Sequence, residues 1–144
     1  MANAVMLDTG TLGKFAHPRA DREIVEWVEG LVLSGISVII PEIADYELRR
    51  NLLLEGLTRS LARLDQLKGF LLYAPLTTGV MLKAAELWAE ARRRGQPTAD
   101  PKELDGDVIL AAQALQAGAV VATDNVGHLS IFVEAKEWRD IAVV

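Results

Sequence analysis

Residues 119–125 read Ala119-Val120-Val121-Ala122-Thr123-Asp124-Asn125, an apolar run that ends abruptly in polar residues. The apolar part predicts a short buried strand, and the polar residues after it predict the loop that leaves a sheet. Gly118 directly precedes this strand and predicts the end of a helix. That helix is almost wholly apolar from Val108 to Leu115, which indicates burial on every face. A buried helix followed by a buried strand favours an α/β fold.

Strand-like and helix-like segments alternate along the rest of the chain as well. Further strands are predicted at residues 4–7, 37–40, 71–76 and 141–144. Further helices are predicted at residues 21–34, 42–54, 58–69 and 77–94, with stops at Gly35, Gly56 and Gly95. Residues 95–102 contain two prolines and predict a loop. We therefore expect a single α/β domain over residues 1–144 with a mainly parallel sheet.

Composition excludes several classes of protein. With 144 residues, 51% of them hydrophobic and 24% charged, the chain is expected to fold as one globular domain. Because it contains no cysteine and two histidines, it has no disulfide, no thiolate zinc site and no multi-histidine metal centre. No apolar run is long enough to span a membrane, and the N terminus lacks the basic start of a signal peptide. We expect a cytoplasmic protein, and its net charge of −5 argues against a simple basic nucleic-acid binder.

Two acidic residues directly follow predicted strands. Asp8 ends the first strand, and Asp124 comes after the strand at 119–122. In an open parallel sheet, ligands bind at the carboxyl ends of the strands, so both side chains are expected to face one crevice. The alternative for each is a turn or the N-terminal cap of a helix, where aspartate is common.

Asp107 stands at the start of the apolar helix and shares its buried row with Leu110, Ala111 and Ala114. An ionised carboxylate is costly to bury unless it meets a cation or several donors. The alternative is that the helix dipole favours an acid in the first helical turn. Asp105 is better suited to cap this helix, which leaves Asp107 as the candidate functional residue.

Glu47 is the fourth candidate acid. It lies on the helix after Pro41 and shares a face with Ile43 and Ala44. The alternatives are a rim residue and the partner of a nearby arginine.

A group of carboxylates without histidine or cysteine suits a hard divalent cation, because Mg²⁺ and Mn²⁺ prefer oxygen ligands. Such an ion polarises phosphoryl oxygens and activates water. Without Asp8, Glu47, Asp107 and Asp124, the formal charge of the chain would rise from −5 to −1. A polyanionic substrate would then meet the metal and the basic clusters, which are otherwise ordinary solvated faces: Arg49-Arg50, Arg59-Arg63 and Arg92-Arg93-Arg94.

Four stretches resemble the successive motifs of PIN domains, above all VapC-type ribonuclease toxins of prokaryotic toxin–antitoxin pairs. They are Val5–Gly10, Ile43–Arg50, Leu104–Ala112 and Val121–Asn125. The likeness covers essentially the whole chain and implies a three-layer α/β/α sandwich around a parallel twisted sheet. It also implies hydrolysis of RNA phosphodiester bonds by an endoribonuclease with bound Mg²⁺ or Mn²⁺, an antitoxin partner and a homodimer.

The resemblance also implies roles for individual residues. Asp8 and Asp107 would be direct metal ligands, and Glu47 would be a ligand or would orient water. Thr9 and Thr123 would hold the carboxylates in place.

The fourth motif departs from the family pattern. The family often has an acid or amide at the position of Asn125, whereas this chain has its acid at Asp124. We expect either of them to complete the metal site, with Asp124 favoured by charge and Asn125 by register. Asp105 is kept as a supporting residue. His128, close to this motif, is expected to be a surface or packing residue.

Three other interpretations compete with the ribonuclease. Asp8-Thr9-Gly10-Thr11 also spells the motif of aspartic proteases, but those enzymes are nearly all-β, and the segments 42–70 and 77–118 are helical in character. Residues 7–12 also resemble the nucleophile loop of haloacid-dehalogenase phosphatases, with Gly10 in place of the required second acid. A catalytically inactive PIN-like module that binds RNA or protein is the third, and the retained acids weigh against it because like charges repel.

Overall fold

The computed structural model of the chain describes residues 3–95 and 101–143, with side chains in 3–95 and 105–143. Its strands are β1 (Ala4–Leu7), β2 (Ser37–Pro41), β3 (Leu72–Ala74), β4 (Val120–Ala122) and β5 (Ala135–Lys136). Its α-helices are α1 (Thr9–Ala16), α2 (Arg22–Leu33), α3 (Glu42–Leu54), α4 (Thr58–Phe70), α5 (Thr78–Arg93), α6 (Pro101–Ala117) and α7 (Val126–Leu129), followed by a 3₁₀ turn at Trp138–Asp140.

The five strands form one parallel sheet in the order β3-β2-β1-β4-β5. The chain runs outward from β1 through β2 to β3 and then crosses to β4, on the other side of β1. The order therefore reverses between β1 and β4, and parallel sheets bind ligands outside the carboxyl ends of the strands at this point. Asp8 follows β1, and Asp124 lies two residues beyond β4, so both predicted acids flank the switch point.

Helices cover both faces of the sheet. Val5 and Leu7 of β1 pack into one core with α1, α2 and α4, whereas Ala4 and Met6 pack into the other with α5 and α6. All four residues of β1 are buried, as expected for a central parallel strand covered on both faces. This confirms the predicted three-layer α/β/α sandwich.

The predicted helix stops are confirmed by the backbone. Gly35, Gly56, Gly95 and Gly118 all have positive φ angles, between 62° and 79°, directly after a helix or one residue later. Residues with a Cβ rarely adopt this conformation, so glycine is the natural terminator at all four places.

Helix α1 was not predicted, although it carries part of the site. It is short and contains Gly10 and Gly13, which lower its intrinsic helix propensity. Tertiary packing supplies what propensity lacks, because Leu12 and Phe15 are buried against the sheet. The helix is capped by Asp8, whose side chain accepts a hydrogen bond from the backbone of Thr11.

The last predicted strand is wrong. The fifth strand is β5 at Ala135–Lys136, and residues 141–143 form no regular structure; residue 144 lies outside the described ranges. Ile141 is nevertheless buried, and its carbonyl accepts a 3.0 Å hydrogen bond from Nε1 of Trp27. The apolar end of the chain therefore seals a core instead of extending the sheet.

Helix α6 begins at Pro101, so the predicted loop at 95–102 ends earlier than expected. Residues 96–100 of that loop lie outside the described ranges. Proline is favoured at the first helical position, where its missing N–H is not needed. Within the described ranges, the search for a helix long and apolar enough to cross a membrane found none.

Candidate active site

Asp8 is held at the end of β1 by donors on both carboxylate oxygens. The backbone N–H of Thr11 donates to Oδ1 over 2.8 Å, and the Oγ1 hydroxyl of Thr123 donates to Oδ2. Thr123 is itself fully buried and accepts a 2.8 Å hydrogen bond from the backbone N–H of Asn125. The helix-cap alternative for Asp8 is therefore correct, and it coincides with a position at the switch point.

The environment of Asp8 disfavours its ionised form. Burial raises the pKa of the Asp8 carboxyl, and this effect outweighs the opposing hydrogen bonds from Thr123 and Thr11. The negative charge of Asp124 raises the pKa further. A cation at this position would relieve both effects, because an opposite charge favours the carboxylate.

Glu47 connects α3 to the first and third motifs. Its Oε1 accepts a 2.7 Å hydrogen bond from Oγ1 of Thr9, which directly follows Asp8. On the other side, a Cβ atom built on Gly106 would lie 2.7 Å from Oε2 of Glu47, closer than real contacts allow. The carboxylate thus rests against the backbone of α6 at the glycine that precedes Asp107. The absence of a side chain at Gly106 permits this approach, and this role of Gly106 was not predicted from the sequence.

Asp124 and Asp8 flank Gly10 at the start of α1. A Cβ atom on Gly10 would lie 3.6 Å from Oδ2 of Asp124 and 3.7 Å from Oδ1 of Asp8. Asp124 forms an ion pair with Lys14, one turn further along α1, at 2.7 Å. Lys14 was not singled out in the sequence, because the helix that presents it was not predicted.

The other predicted residues have different surroundings. Asp107 is partly buried in the second turn of α6, not the first, and Asp105 is exposed. The prediction that Asp105 caps the helix is wrong because the helix already begins at Pro101. Asp105 instead lines a cavity of about 340 Å³ between α5 and α6, together with Trp88.

Asn125 is exposed at the start of α7, and His128 lies half-buried in that helix.

The carboxylate oxygens of the predicted site are chemically suitable ligands for a hard divalent cation. Asp8, Glu47 and Asp124 offer carboxylate oxygens near one edge of the sheet, and carboxylates are ligands that Mg²⁺ and Mn²⁺ accept. Asp8 and Asp124 form one pair on either side of Gly10, whereas Glu47 lies separately, against α6. Among the described residues, no three histidine or acidic side chains are grouped closely enough to hold a metal ion.

The predicted basic clusters are largely engaged elsewhere. Arg49 forms ion pairs with Asp45 at 3.0 Å and Asp65 at 2.8 Å, so its charge is committed to the fold. Three other arginines lie over aromatic rings of this chain, namely Arg50 over Tyr46, Arg63 over Phe15 and Arg92 over Trp88.

Comparison with solved structures found the same fold in VapBC and FitAcB structures. VapBC2 from Rickettsia felis, bound to a DNA fragment from its promoter, has a TM-score of 0.77 at 16% identity, covering 92% of this chain and 97% of that chain. FitAcB from Neisseria gonorrhoeae has a TM-score of 0.72 at 24% identity, covering 95% and 99%. DNA-bound VapBC from Salmonella typhimurium has a TM-score of 0.69 at 24% identity, covering 94% and 98%. At these identities the likeness shows a shared fold.

No curated protein matches the chain significantly. The sequence profile of the PIN domain matches residues 5–130, most of the chain and all four motifs. The resemblance seen in the sequence is therefore confirmed, and the chain belongs to the PIN domain family.

Proposed function

We propose that this protein is a metal-dependent endoribonuclease that hydrolyses RNA phosphodiester bonds, and that it acts in the cytoplasm as one PIN domain over residues 1–144. The observation that carries the proposal is the convergence of separate motifs on Glu47. Thr9 from the first motif donates to this carboxylate, and Gly106 from the third makes room for it. Thr9 directly follows Asp8 and Gly106 directly precedes Asp107, so these two contacts link Glu47 to the backbone beside both of the other proposed ligands.

In this proposal Asp8 and Asp107 are the direct ligands of a Mg²⁺ or Mn²⁺ ion. Glu47 is a further ligand or orients the attacking water, and Asp124 or Asn125 completes the site. When bound, the cation supplies charge stabilisation on the phosphoryl oxygens and assists the formation of the nucleophile.

The residues around the carboxylates keep them oriented. Thr11 and Thr123 occupy one oxygen each of Asp8, which fixes the rotation of its carboxylate. Thr9 donates to Oε1 of Glu47 and so restrains the orientation of that carboxylate. Removing a hydrogen bond of this kind to a ligating carboxylate typically lowers metal affinity or activity by about 10–100-fold.

We also propose that the protein is the toxin of a toxin–antitoxin pair, forms a homodimer and binds a cognate antitoxin. Support comes from two solved structures with this fold, from Rickettsia felis and Salmonella typhimurium, which contain VapBC bound to DNA. The surface is consistent with protein partners, because several large apolar side chains are at least 60% exposed: Leu33, Leu53, Leu54, Phe70 and Leu82.

The test of the enzymatic proposal is cleavage of total RNA by the purified protein. We expect cleavage with Mg²⁺ or Mn²⁺, its complete loss in EDTA, and its return when the cation is added in excess. An Asp107→Asn protein prepared in the same way controls for contaminating nucleases and is expected to be inactive. Cleavage that survives both EDTA and the substitution would contradict the proposal, and no cleavage by the wild type would favour the inactive binding module.

Replacing Gly106 by Ala is expected to lower RNA cleavage about tenfold without destabilising the fold. The new methyl group would meet Oε2 of Glu47 at 2.7 Å, and the flexible end of that side chain would move away from its present position. Alanine also has the higher helix propensity by about 1 kcal/mol, so thermal stability is expected to hold or rise. Cleavage rate and melting temperature, measured on the same preparation, check the two effects.

Gly69→Ala is the matched control, because Gly69 also lies in a helix and a Cβ there would meet nothing within 4 Å. It is expected to leave cleavage unchanged. Equal activity of both variants would show that the position of Glu47 against α6 is unimportant for catalysis.

A further inference from the structure

A groove begins beside the candidate active site and runs from there along the exposed face of α1. Its first part is a cavity of about 590 Å³ lined by Gly10, Gly13, Lys14 and His17, among others. These four positions are spaced i, i+3, i+4 and i+7, which places them on one side of a helix. At Gly10 the cavity adjoins Asp8 and Asp124.

A second cavity, of about 450 Å³, continues the groove at the end of α1. It is lined by His17, Pro18 and Arg19 on one side, and on the other by the turn that precedes α4 and the first residues of α4, including Arg59. Because His17 and Arg19 line both cavities, the two lie side by side at the end of α1. We call the combined feature the α1 groove and define it by Gly10, Gly13, Lys14, His17, Arg19 and Arg59.

The charges along the α1 groove are mainly positive, although the whole chain carries −5. Two of its cations are neutralised by the fold itself: Lys14 pairs with Asp124, and Arg139, on the wall of the first cavity, pairs with Glu23 and Glu137. Asp21 is the acid on the same wall.

Two guanidinium groups remain available. Arg19 and Arg59 are exposed, and neither forms an ion pair with any residue in the described part of the chain. An arginine without a protein partner is well suited to a phosphate, which it binds through two parallel hydrogen bonds.

We propose that the α1 groove binds the backbone of the RNA strand that extends from the cleavage site, with Arg19 and Arg59 on its phosphates. This inference rests on the proposed function, since that function places a phosphodiester beside Asp8. A strand with one phosphate there continues past Gly10, where the missing side chain lets it approach α1 closely. The groove therefore lengthens the contact with substrate beyond the reacting bond.

The test measures RNA binding without cleavage. A fluorescently labelled single-stranded RNA is titrated with protein in EDTA, and its anisotropy gives the dissociation constant. Arg19→Glu and Arg59→Glu are each compared with Arg93→Glu, a substitution with the same charge change on α5, in the opposite helical layer. We expect the two groove variants to bind about tenfold more weakly than the Arg93→Glu control. The slope of log K against log salt is expected to fall by about 0.7 for each lost phosphate contact.

Several outcomes would overturn the groove proposal. Equal affinities of all three variants would do so, as would a wild type that binds no RNA in EDTA. Displacement of the RNA by a poly-glutamate peptide at equal charge concentration would assign the groove to an acidic protein segment instead. Unchanged melting temperatures show that the folds are intact, which is expected because both arginines are exposed.

The same variants separate this inference from the ribonuclease proposal. RNA that binds in the groove and is never cut with Mg²⁺ or Mn²⁺ would support the groove and contradict the nuclease. RNA that is cut normally and binds equally to all variants would contradict the groove alone.

Discussion

Replacing Asp8 by Asn is expected to lower RNA cleavage by about 1,000-fold and, at the same time, to raise the stability of the metal-free protein. Activity falls because the proposed ligand loses its charge. Stability rises because burial and the neighbouring Asp124 raise the pKa of Asp8, so the ionised carboxylate costs folding free energy at neutral pH. If Asp8 had a purely structural role, its replacement would instead lower both RNA cleavage and the stability of the protein.

Asparagine is a suitable replacement because it can keep both contacts of Asp8. Its side-chain oxygen still accepts from the backbone N–H of Thr11, so α1 keeps its cap. Its amide can donate to the Thr123 hydroxyl, which is able to reverse its role in the hydrogen bond.

Cleavage rates with Mg²⁺ and melting temperatures in EDTA measure the two effects of Asp8→Asn. Asp140→Asn, at an exposed aspartate of the 3₁₀ turn, is the control and is expected to change neither property. A melting temperature of Asp8→Asn several degrees below that of the wild type would contradict the electrostatic argument. Retained cleavage would remove Asp8 from the site.

The fold could be predicted from the sequence where local signals and packing agree. Strands β1, β2 and β4 are apolar on both faces, and the glycines after α2, α3, α5 and α6 carry the positive φ that ends these helices. Helix α1 and strand β5 could not be predicted. The first contains two glycines and is stabilised by tertiary burial, and the second is a two-residue strand defined by its pairing with β4.

The site could be predicted in outline and not in its contacts. The order of the motifs and the parallel sheet explain why Asp8 and Asp124 approach each other at the switch point. The hydrogen bond from Thr9 to Glu47 joins residues 38 positions apart, and the ion pair of Lys14 with Asp124 joins residues 110 apart. No local pattern encodes such pairs. The start of α6 could have been predicted from the sequence, because proline is typical of the first helical position and Pro101 occupies it. That start would have excluded Asp105 as the cap of the helix.

Asp45, two residues before Glu47, illustrates a carboxylate that serves the fold. It is 5% exposed and accepts a hydrogen bond from the Tyr73 hydroxyl at 2.8 Å. Its two ion pairs are with Arg49 at 3.0 Å and Lys68 at 3.1 Å. Asp45 thereby joins α3 to α4 and β3. Burial alone would raise the pKa of its carboxyl, but these partners outweigh burial and hold that pKa below its ordinary value.

We expect Asp45→Asn to lower the free energy of unfolding by about 2–3 kcal/mol at pH 7, because it leaves Lys68 and Arg49 beside an uncharged group in a buried network. Asp65→Asn is the matched control: Asp65 contacts the same Arg49, but its side chain is 61% exposed. An exposed ion pair contributes less than about 1 kcal/mol. Urea unfolding of both variants measures the difference, and equal losses would contradict the role given to Asp45.

The sign of the pH dependence follows from the lowered pKa. The folded protein releases the proton of Asp45 more readily than the unfolded chain, so the carboxylate stabilises the fold fully at pH values above the unfolded pKa of about 3.9. As the pH falls through the lower, folded pKa, Asp45 becomes protonated and resembles asparagine. The gap between wild type and Asp45→Asn is therefore expected to be constant from pH 7 to about pH 5 and to close below about pH 4. A gap that widened in acid would mean that the neutral carboxyl, not the ion-pair network, stabilises this junction.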